Sequence, residues 1–204
     1  TEGIPALKAG RFDHAYQLLS AAKDAVNALG GAVEEADEIR HAADEASIYV
    51  DLLSDPLESL LEEAARSSPQ SWADRFDKLY QGRSVIIDGN ITATPDTNPN
   101  KRYAIDYLVV PPGEGQVDSR RGRIDLTSLE LVSTVQPKVG DRLVFGARLA
   151  DFKYDSAAGE FVISFDPKSG ISMQYYEALQ AQGWPSGAII LDDSPSESGE
   201  AERR

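Results

Sequence analysis

The sequence predicts an α+β protein in which an antiparallel helical hairpin precedes a small five-stranded antiparallel β-barrel and a C-terminal helix. Three observations support this fold class. Apolar residues recur at helical spacing in the first third of the chain, β-branched residues and turn signals dominate the middle, and Ser, Glu, Asp and Pro dominate the end. We expect a helical segment over residues 1–66, a β-barrel domain with flanking helices over 67–182, and an acidic disordered tail over 183–204.

The first helix of the hairpin is predicted from Arg11 to Leu29, where apolar residues recur every three or four positions. The Gly30-Gly31 pair ends it, since glycine readily adopts the left-handed conformation found after helices. A heptad pattern of small and apolar residues follows, and Asp55-Pro56 interrupts it with a helix-start signal. We interpret this pattern as two helices, 32–53 and 56–66. The first of them folds back on the preceding helix, and an intermolecular coiled coil is the alternative.

Residues 7–30 resemble the second half of a tetratricopeptide repeat. A glycine turn at Gly10 is followed by the acidic Asp13, by Ala15 and by a helix with a packed face. Residues 32–66 do not repeat this pattern at the spacing of about 34 residues that such repeats have. The resemblance implies that this segment follows or imitates a helical repeat array, and such arrays bind other proteins.

The middle of the chain predicts five β-strands, because runs rich in β-branched residues alternate with turn signals. A linker at 67–71 and a two-turn helix at 72–80 precede the strands. A short helix with a capping-box start separates the third strand from the fourth, and a last helix follows Gly170 and runs to Gln182. The predicted strands are Ser84–Thr94, Tyr103–Val110, Arg121–Leu126, Arg142–Tyr154 and Glu160–Phe165, and the short helix runs from Thr127 to Thr134.

This order of strands and helix resembles the OB-fold, a small five-stranded barrel. Within it, the segment 138–149 is similar to the fourth strand of OB-fold domains, including single-strand-binding proteins. It has a Gly140-Asp141 turn, an apolar strand and a further glycine, Gly146, at a bend. The resemblance implies a barrel over 82–166 whose second and third strands carry the binding face. Another small barrel or sandwich is the alternative fold.

The charge of the chain limits its possible partners. The 204 residues include 34 acidic and 20 basic residues, for a net charge of −14, which repels nucleic acid and anionic lipid at long range. Residues 1–66 hold 14 acidic and 5 basic residues, whereas 67–182 hold 15 and 13. An anion-binding surface is therefore expected only in the middle segment. No run of about 18 apolar residues occurs, so no membrane span is predicted.

Residue usage argues against most catalytic chemistry. The chain has no cysteine and two histidines, which excludes a thiol nucleophile, a disulfide framework and a zinc finger. Phosphate-binding loops, the dinucleotide fingerprint and the serine nucleophile motif are missing as well. Glu38 and His41 match one Glu-x-x-His element of di-iron bundles, but the second copy that such a site needs is missing. We predict no catalytic site, no metal and no cofactor.

One group of residues indicates a binding surface. Basic side chains flank the predicted second and third strands, and two tyrosines share one face of the second strand. In an OB-like domain, arginines at this place hold phosphates while tyrosines stack on bases. Alternatively, the arginines form a solvated edge and the tyrosines pack in the core. The candidate residues are Lys101, Arg102, Tyr103, Tyr107, Arg120, Arg121 and Arg123.

Together these observations predict a non-catalytic interaction or adaptor module whose partner is another protein. A single-stranded nucleic-acid binder that works through residues 101–123 is the first alternative, and an enzyme with an unrecognised carboxylate site is the second. The chain begins at Thr1 and its one methionine is Met173. We therefore expect a processed or excised piece of a longer protein, from the cytoplasm or an extracytoplasmic compartment. The sequence sets no oligomeric state.

Overall fold

The computed structural model describes residues 2–31, 33–109, 121–175 and 178. The chain is a mixed α+β protein, as its sequence predicts. The helices are α1 (Gly3–Lys8), α2 (Phe12–Ala28), α3 (Ala36–Val50), α4 (Leu57–Arg66), α5 (Pro69–Leu79) and α6 (Glu130–Val135). The strands are β1 (Ser84–Ala93), β2 (Ala104–Ile105), β3 (Leu108–Val109), β4 (Gly122–Asp125), β5 (Arg142–Asp155), β6 (Glu160–Phe165) and β7 (Ile171–Ser172). None of the helices in the described part of the chain is long and apolar enough to cross a membrane.

The strands form a mixed sheet in the order β2-β1-β5-β6-β4-β3, and β7 also pairs with β5. The β4–β6 pair is parallel, in the register that joins Gly122 to Phe161 and Asp125 to Ser164. Parallel strands need a long crossover, and residues 126–159, which contain α6 and β5, supply it. The prediction of an all-antiparallel sheet is therefore wrong for this pair. The hydrogen-bonded path also has two ends, β2 and β3, instead of closing into a barrel.

The predicted second strand is divided into two short strands, β2 and β3, by Asp106. The main-chain N–H of Asp106 donates to the carbonyl of Asn90 at 2.9 Å. The Asp106 carboxylate in turn accepts from the main-chain N–H of Asn90 at 2.5 Å and from its side-chain amide at 2.9 Å. A side chain thus takes the place of a main-chain acceptor beside β1. The regular ladder of main-chain hydrogen bonds ends at this point, because the main-chain N–H of Asn90 already donates to the Asp106 side chain and is not available to a main-chain carbonyl.

Helices α2 and α3 form the predicted antiparallel hairpin. At one end the ring of Phe12 stacks on that of Tyr49, with centroids 4.4 Å apart. At the other end the guanidinium of Arg40 donates to the side-chain carbonyl of Asn27 at 3.1 Å. Half of the eight buried residues of α3 are alanines, whose small side chains let two helices approach closely. These are Ala36, Ala42, Ala43 and Ala46.

The helical hairpin packs directly on the sheet through α3. Ile48 and Tyr49 of α3 share an apolar cluster with Met173 and with half-buried side chains of β1 and β5. At the end of α3, the main chain of Leu53 donates to Ser84 at 2.8 Å, and that of Ser84 donates to Asp51 at 3.0 Å. A larger apolar core lies between the sheet and helices α4 and α5. The sheet is therefore covered by α3 at the first apolar cluster and by α4 and α5 at the larger core.

The predicted C-terminal helix does not begin at residue 171. Ile171 and Ser172 instead form β7, opposite Gly146 and Phe145 of β5. Strand β5 has 14 residues, and β6 pairs only with its second half. The first half of the same edge has unpaired main-chain groups, which β7 satisfies. Most of the remaining predicted helix and the whole predicted tail, 183–204, lie outside the described residues.

The absence of a side chain at Gly146 allows α3 to lie close to β5. A Cβ at this position would lie 2.6 Å from Cγ2 of Ile48 and 3.0 Å from the sulfur of Met173. We predict that Gly146→Ala lowers the free energy of unfolding by about 1–3 kcal/mol through overpacking. Ile48→Ala alone costs about 2–5 kcal/mol through a cavity. The double variant loses less than the sum, because the smaller residue 48 makes room for the new methyl group. Urea unfolding of all four proteins measures the coupling, and strictly additive losses would contradict this contact.

Candidate functional site

The basic group predicted from the sequence is only partly free. Lys101, Arg102 and Arg121 are exposed, and Lys101 has a positive φ of 55°. The guanidinium of Arg123 is half-buried and forms an ion pair with the Glu160 carboxylate at 2.7 Å. Arg120 lies outside the described residues. The positive charge at this edge of the sheet is thus reduced by an acidic neighbour.

A second acid, Asp125, also faces this basic group. Burial opposes its ionisation, but hydrogen bonds from Thr127 and the charges of Arg123 and Arg102 outweigh that effect, so the pKa of Asp125 is lowered. The structure therefore brings Arg102 and Arg123 near the same carboxylate. Both guanidinium groups already have a protein anion beside them, which weakens the case for a phosphate site.

The two tyrosines of the predicted binding surface are half-buried and pack against the larger core. Burial raises the pKa of Tyr107 to about 12, and the charge of Glu58 adds to the increase. Base stacking requires an accessible ring face. The position of Tyr103 and Tyr107 favours the alternative that the sequence left open, in which these rings serve packing.

A groove that the sequence did not predict lies between helices α4–α5 and the β5–β6 hairpin. Its volume is about 690 Å³, within the range of about 300–1,000 Å³ found for ligand clefts. Ser68 caps the start of α5, because its hydroxyl accepts a hydrogen bond from the main-chain N–H of Ser71. Pro69 is the first residue of the helix. Aromatic residues recur every four positions along α5 and at the residue that follows its end, and they therefore share one face. They are Trp72, Phe76 and Tyr80, and all three are buried.

Closely packed aromatic rings form the floor of the groove. The ring of Trp72 meets that of Phe152 edge to face at 5.4 Å, and Phe152 meets Phe161 in the same way at 5.5 Å. The indole N–H of Trp72 donates to the main-chain carbonyl of Phe152 at 2.7 Å. Because this donor is already satisfied, the indole offers a ligand only an apolar contact.

The walls of the groove combine small apolar residues with Ser67, Gln81 and one exposed aromatic residue. Pro69 and Ala73 are exposed and Ala65 is half-buried. Tyr154 is 45% exposed, and its ring lies 5.2 Å from that of Phe161. Small wall residues leave space above an aromatic floor, and an exposed tyrosine adds both an apolar surface and a hydroxyl.

Three charged side chains line the rim of the groove. The ammonium of Lys153 lies 2.5 Å from the Asp151 carboxylate. This hydrogen bond and ion pair raise the pKa of Lys153, and the charge of Asp77 raises it further. The rim thus has two carboxylates and one ammonium group.

The groove could not be found from sequence spacing, because its two sides lie far apart in the chain. Residues 64–81 supply one side and residues 150–161 supply the other. The available signals were the regular spacing of Trp72, Phe76 and Tyr80 and the alternation of Phe152 with Tyr154. Neither pattern indicates that the two segments meet.

A buried carboxylate joins α3 to the segment after β7. The side chain of Glu45 has no exposed surface. It accepts hydrogen bonds from the hydroxyl of Tyr49 at 2.8 Å and from the main-chain N–H groups of Gln174 at 2.8 Å and Tyr175 at 2.6 Å. Three donors satisfy the buried charge, which would otherwise be costly. Glu45 therefore anchors the segment after β7 to α3. Within the described residues, no cluster of three acidic or histidine side chains forms that could hold a metal ion.

His41 lies one helical turn before Glu45. Its Nε2 is 3.6 Å from Oε2 of Glu45, at ion-pair distance. The interaction with the Glu45 carboxylate outweighs the effect of burial, so the pKa of His41 is raised above 6.5. Asp44 adds to the increase. Protonation of His41 therefore strengthens its interaction with the Glu45 carboxylate within α3.

No protein-family model, curated protein or solved structure matches this chain. The resemblances to a tetratricopeptide repeat and to an OB-fold therefore stay predictions from the sequence. The geometry of the groove and of the basic group is what distinguishes the possible binding functions.

We expect Glu45→Gln to destabilise the protein by about 2 kcal/mol, the value typical of hydrogen bonds to a charged group. A glutamine amide has one acceptor oxygen, and its NH₂ group would face a main-chain donor of Gln174 or Tyr175. Glu38→Gln is the matched control because Glu38 is an exposed residue of the same helix. The free energies of unfolding in urea give the comparison. Equal losses for the two variants would show that Glu45 has no anchoring role.

We expect the contribution of His41 to stability to depend on pH. Because folding raises its pKa, the stabilisation is complete below 6.5 and is lost as the pH rises through the folded-state value. The difference in unfolding free energy between the natural protein and His41→Gln should therefore be larger at pH 5.5 than at pH 8.5. The same pair of measurements in a Glu45→Gln background should show a smaller pH dependence. A difference that does not change with pH would overturn this interpretation.

Proposed function

We propose that this protein is a non-catalytic interaction module that binds a partner protein through the groove between α4–α5 and β5–β6. The observation that supports it best is the groove itself, an apolar recess of about 690 Å³ over an aromatic floor. The partner inserts one or two large apolar side chains above Trp72 and Phe161, between Ala73 and Tyr154. The binding energy comes from removing the partner's apolar side chains and the exposed wall residues Pro69, Ala73 and Tyr154 from water, while the buried rings of the floor provide packing contacts.

The packing of the floor supports a protein side chain as the ligand. Side chains that dominate protein interfaces are buried in well-packed, water-excluding pockets, often beside Trp or Tyr. The rings of Trp72, Phe152 and Phe161 are already held by mutual contacts and by the indole hydrogen bond. A recess that is formed before binding avoids part of the entropy cost of ordering it.

The same floor is poorly suited to a small polar metabolite. Sites for such ligands use a few polar groups in their interior to fix the orientation of the ligand. Here the indole N–H is paired with the Phe152 carbonyl, and the charged groups lie at the rim. A protein segment needs no polar group in the floor, because its own main chain and the rim orient it.

We also propose that the sheet is a partly open OB-like barrel. Strands β2 and β3 lie at opposite ends of the sheet order, yet only Asp106 and Tyr107 separate them in the chain. Counted as one interrupted strand, they would link β1 to β4 and complete a ring through β6 and β5. The length of β5 and the position of α6 between β4 and β5 in the chain agree with this fold.

Single-stranded nucleic-acid binding through residues 101–123 is the less favoured proposal. Tyr103 and Tyr107 pack against the core, and Arg123 is paired with Glu160. An enzyme with a carboxylate site is also less favoured, because the most buried acid, Glu45, is surrounded by donors that it already satisfies. The first alternative thus loses its stacking rings and one arginine to internal contacts, and the second loses its most buried carboxylate.

A blocking substitution tests the proposed function. Peptides selected from an unbiased display library against the full chain should share large apolar residues and bind with micromolar affinity. Ala73→Phe should weaken their binding at least about tenfold, since the new ring occupies the groove. Ser71→Phe is the matched control, because Ser71 is exposed on the same helix but does not line the groove. Fluorescence anisotropy of labelled peptides measures the affinities. Selected peptides that bind the Ala73→Phe protein as tightly as the natural one would remove the groove from the proposal.

A further inference from the structure

We infer that the groove selects a protein segment in which lysine or arginine flanks the apolar side chains. The inference rests on the proposed function and specifies its partner. It follows from the charges at the rim, the exposure of Tyr154 and the net charge of the chain.

The rim is acidic after its internal ion pair has been taken into account. Lys153 and Asp151 compensate each other at 2.5 Å, and both belong to β5. Asp77 stands on α5, across the groove from that pair, and remains as one negative charge. A side chain that crosses from the apolar floor to α5 therefore meets a carboxylate. Lysine or arginine fits this position because the aliphatic part of its side chain can cover the Ala73 wall while its charge reaches the acid.

Other charges beside α5 do not reverse this sign. The guanidinium of Arg75 pairs with Glu63, and that of Arg66 pairs with Glu62. Each of these bases thus has an acid of its own on α4. The charges of Arg66 and Arg75 are therefore compensated within the protein, and Lys78, the other exposed cation of α5, lines a different recess.

The opposite wall offers a second position for a cation. Tyr154 leaves 45% of its surface exposed while its ring packs on Phe161. A guanidinium or ammonium group is attracted to the face of such a ring. A basic residue on each side of the apolar anchor would therefore meet Asp77 at one wall and Tyr154 at the other.

The charge of the whole chain acts in the same direction. A net charge of −14 attracts a cationic segment and slows the approach of an anionic one. An acidic peptide, a nucleic acid or an anionic membrane would meet like charge both at long range and at the rim. Among macromolecules with an apolar anchor, a basic protein segment is thus the partner that the surface favours.

Three labelled peptides with one apolar core test this inference. They carry a central Leu-Phe-Leu, flanked on both sides by two lysines, two serines or two glutamates. We expect the full chain to bind the lysine peptide about tenfold more tightly than the glutamate peptide at low salt, with the serine peptide between them. The difference should shrink as salt is added, because ions screen exposed charges.

Charge reversal at single residues separates the effect of the rim on peptide binding from the effect of the net charge. Asp77→Lys and Asp74→Lys change the net charge equally, and both residues are exposed on α5, but only Asp77 lines the groove. We expect Asp77→Lys to abolish the preference for lysine and Asp74→Lys to preserve most of it. Equal effects of the two variants, or equal binding of the three peptides, would overturn the inference.

The controls distinguish this failure from failure of the proposed function. If Ala73→Phe weakens the binding of all three peptides equally and the natural protein shows no preference among them, the groove binds apolar segments and only the inferred preference for basic flanks is wrong. If Ala73→Phe affects none of them, the proposed function is wrong as well. A dimer of the full chain that Ala73→Phe dissociates would show that a second copy fills the groove. That result would also overturn the inference.

Discussion

The length of β5 is the constraint from which the other elements take their positions. Its first half pairs with β1 on one edge, and its other edge is shared by β6 and then β7. The two helical layers meet the same strand at different points, α3 near Gly146 and α5 near Phe152. One strand thus connects the hairpin, the sheet and the groove. A change in its register would reverse the faces of all its side chains and move each of these contacts.

Two polar contacts complete the arrangement around β5, and each satisfies a buried group that packing alone would leave unpaired. Glu45 accepts the main-chain donors of Gln174 and Tyr175, so α3 is tied to the segment after β7. The indole of Trp72 donates to the Phe152 carbonyl, so α5 is tied to the second half of β5. Buried polar groups without partners are costly. These hydrogen bonds therefore fix the positions of α3 and α5 relative to the sheet, whereas apolar contacts alone would allow each helix to shift along it.

The proposed binding surface and the basic group differ in how their side chains are used. The tyrosines of the basic group pack against the core, Arg123 pairs with Glu160, and Arg102 and Arg123 lie near Asp125. In the groove, the buried aromatic floor has its polar atom satisfied internally, and the exposed apolar surface belongs to the wall residues Pro69, Ala73 and Tyr154. The first arrangement serves stability, and the second leaves surface available for a partner. An acidic rim is then consistent with the acidity of the whole chain.

Local patterns in the sequence were sufficient for the α+β class, the helical hairpin and most strand positions. Helical spacing of apolar residues and β-branched runs act over a few residues, so the sequence displays them directly. The two predicted capping signals, at Asp55-Pro56 and at Thr127, form no side-chain cap in the structure. The parallel β4–β6 pair, the interruption at Asp106 and the strand at 171–172 depended on which edges remained unpaired after the sheet had formed. The groove depended on α5 meeting a strand some 80 residues later in the chain. Only the tertiary structure decides such contacts, because hydrogen-bond satisfaction and close packing are properties of the assembled fold and have no local period in the sequence.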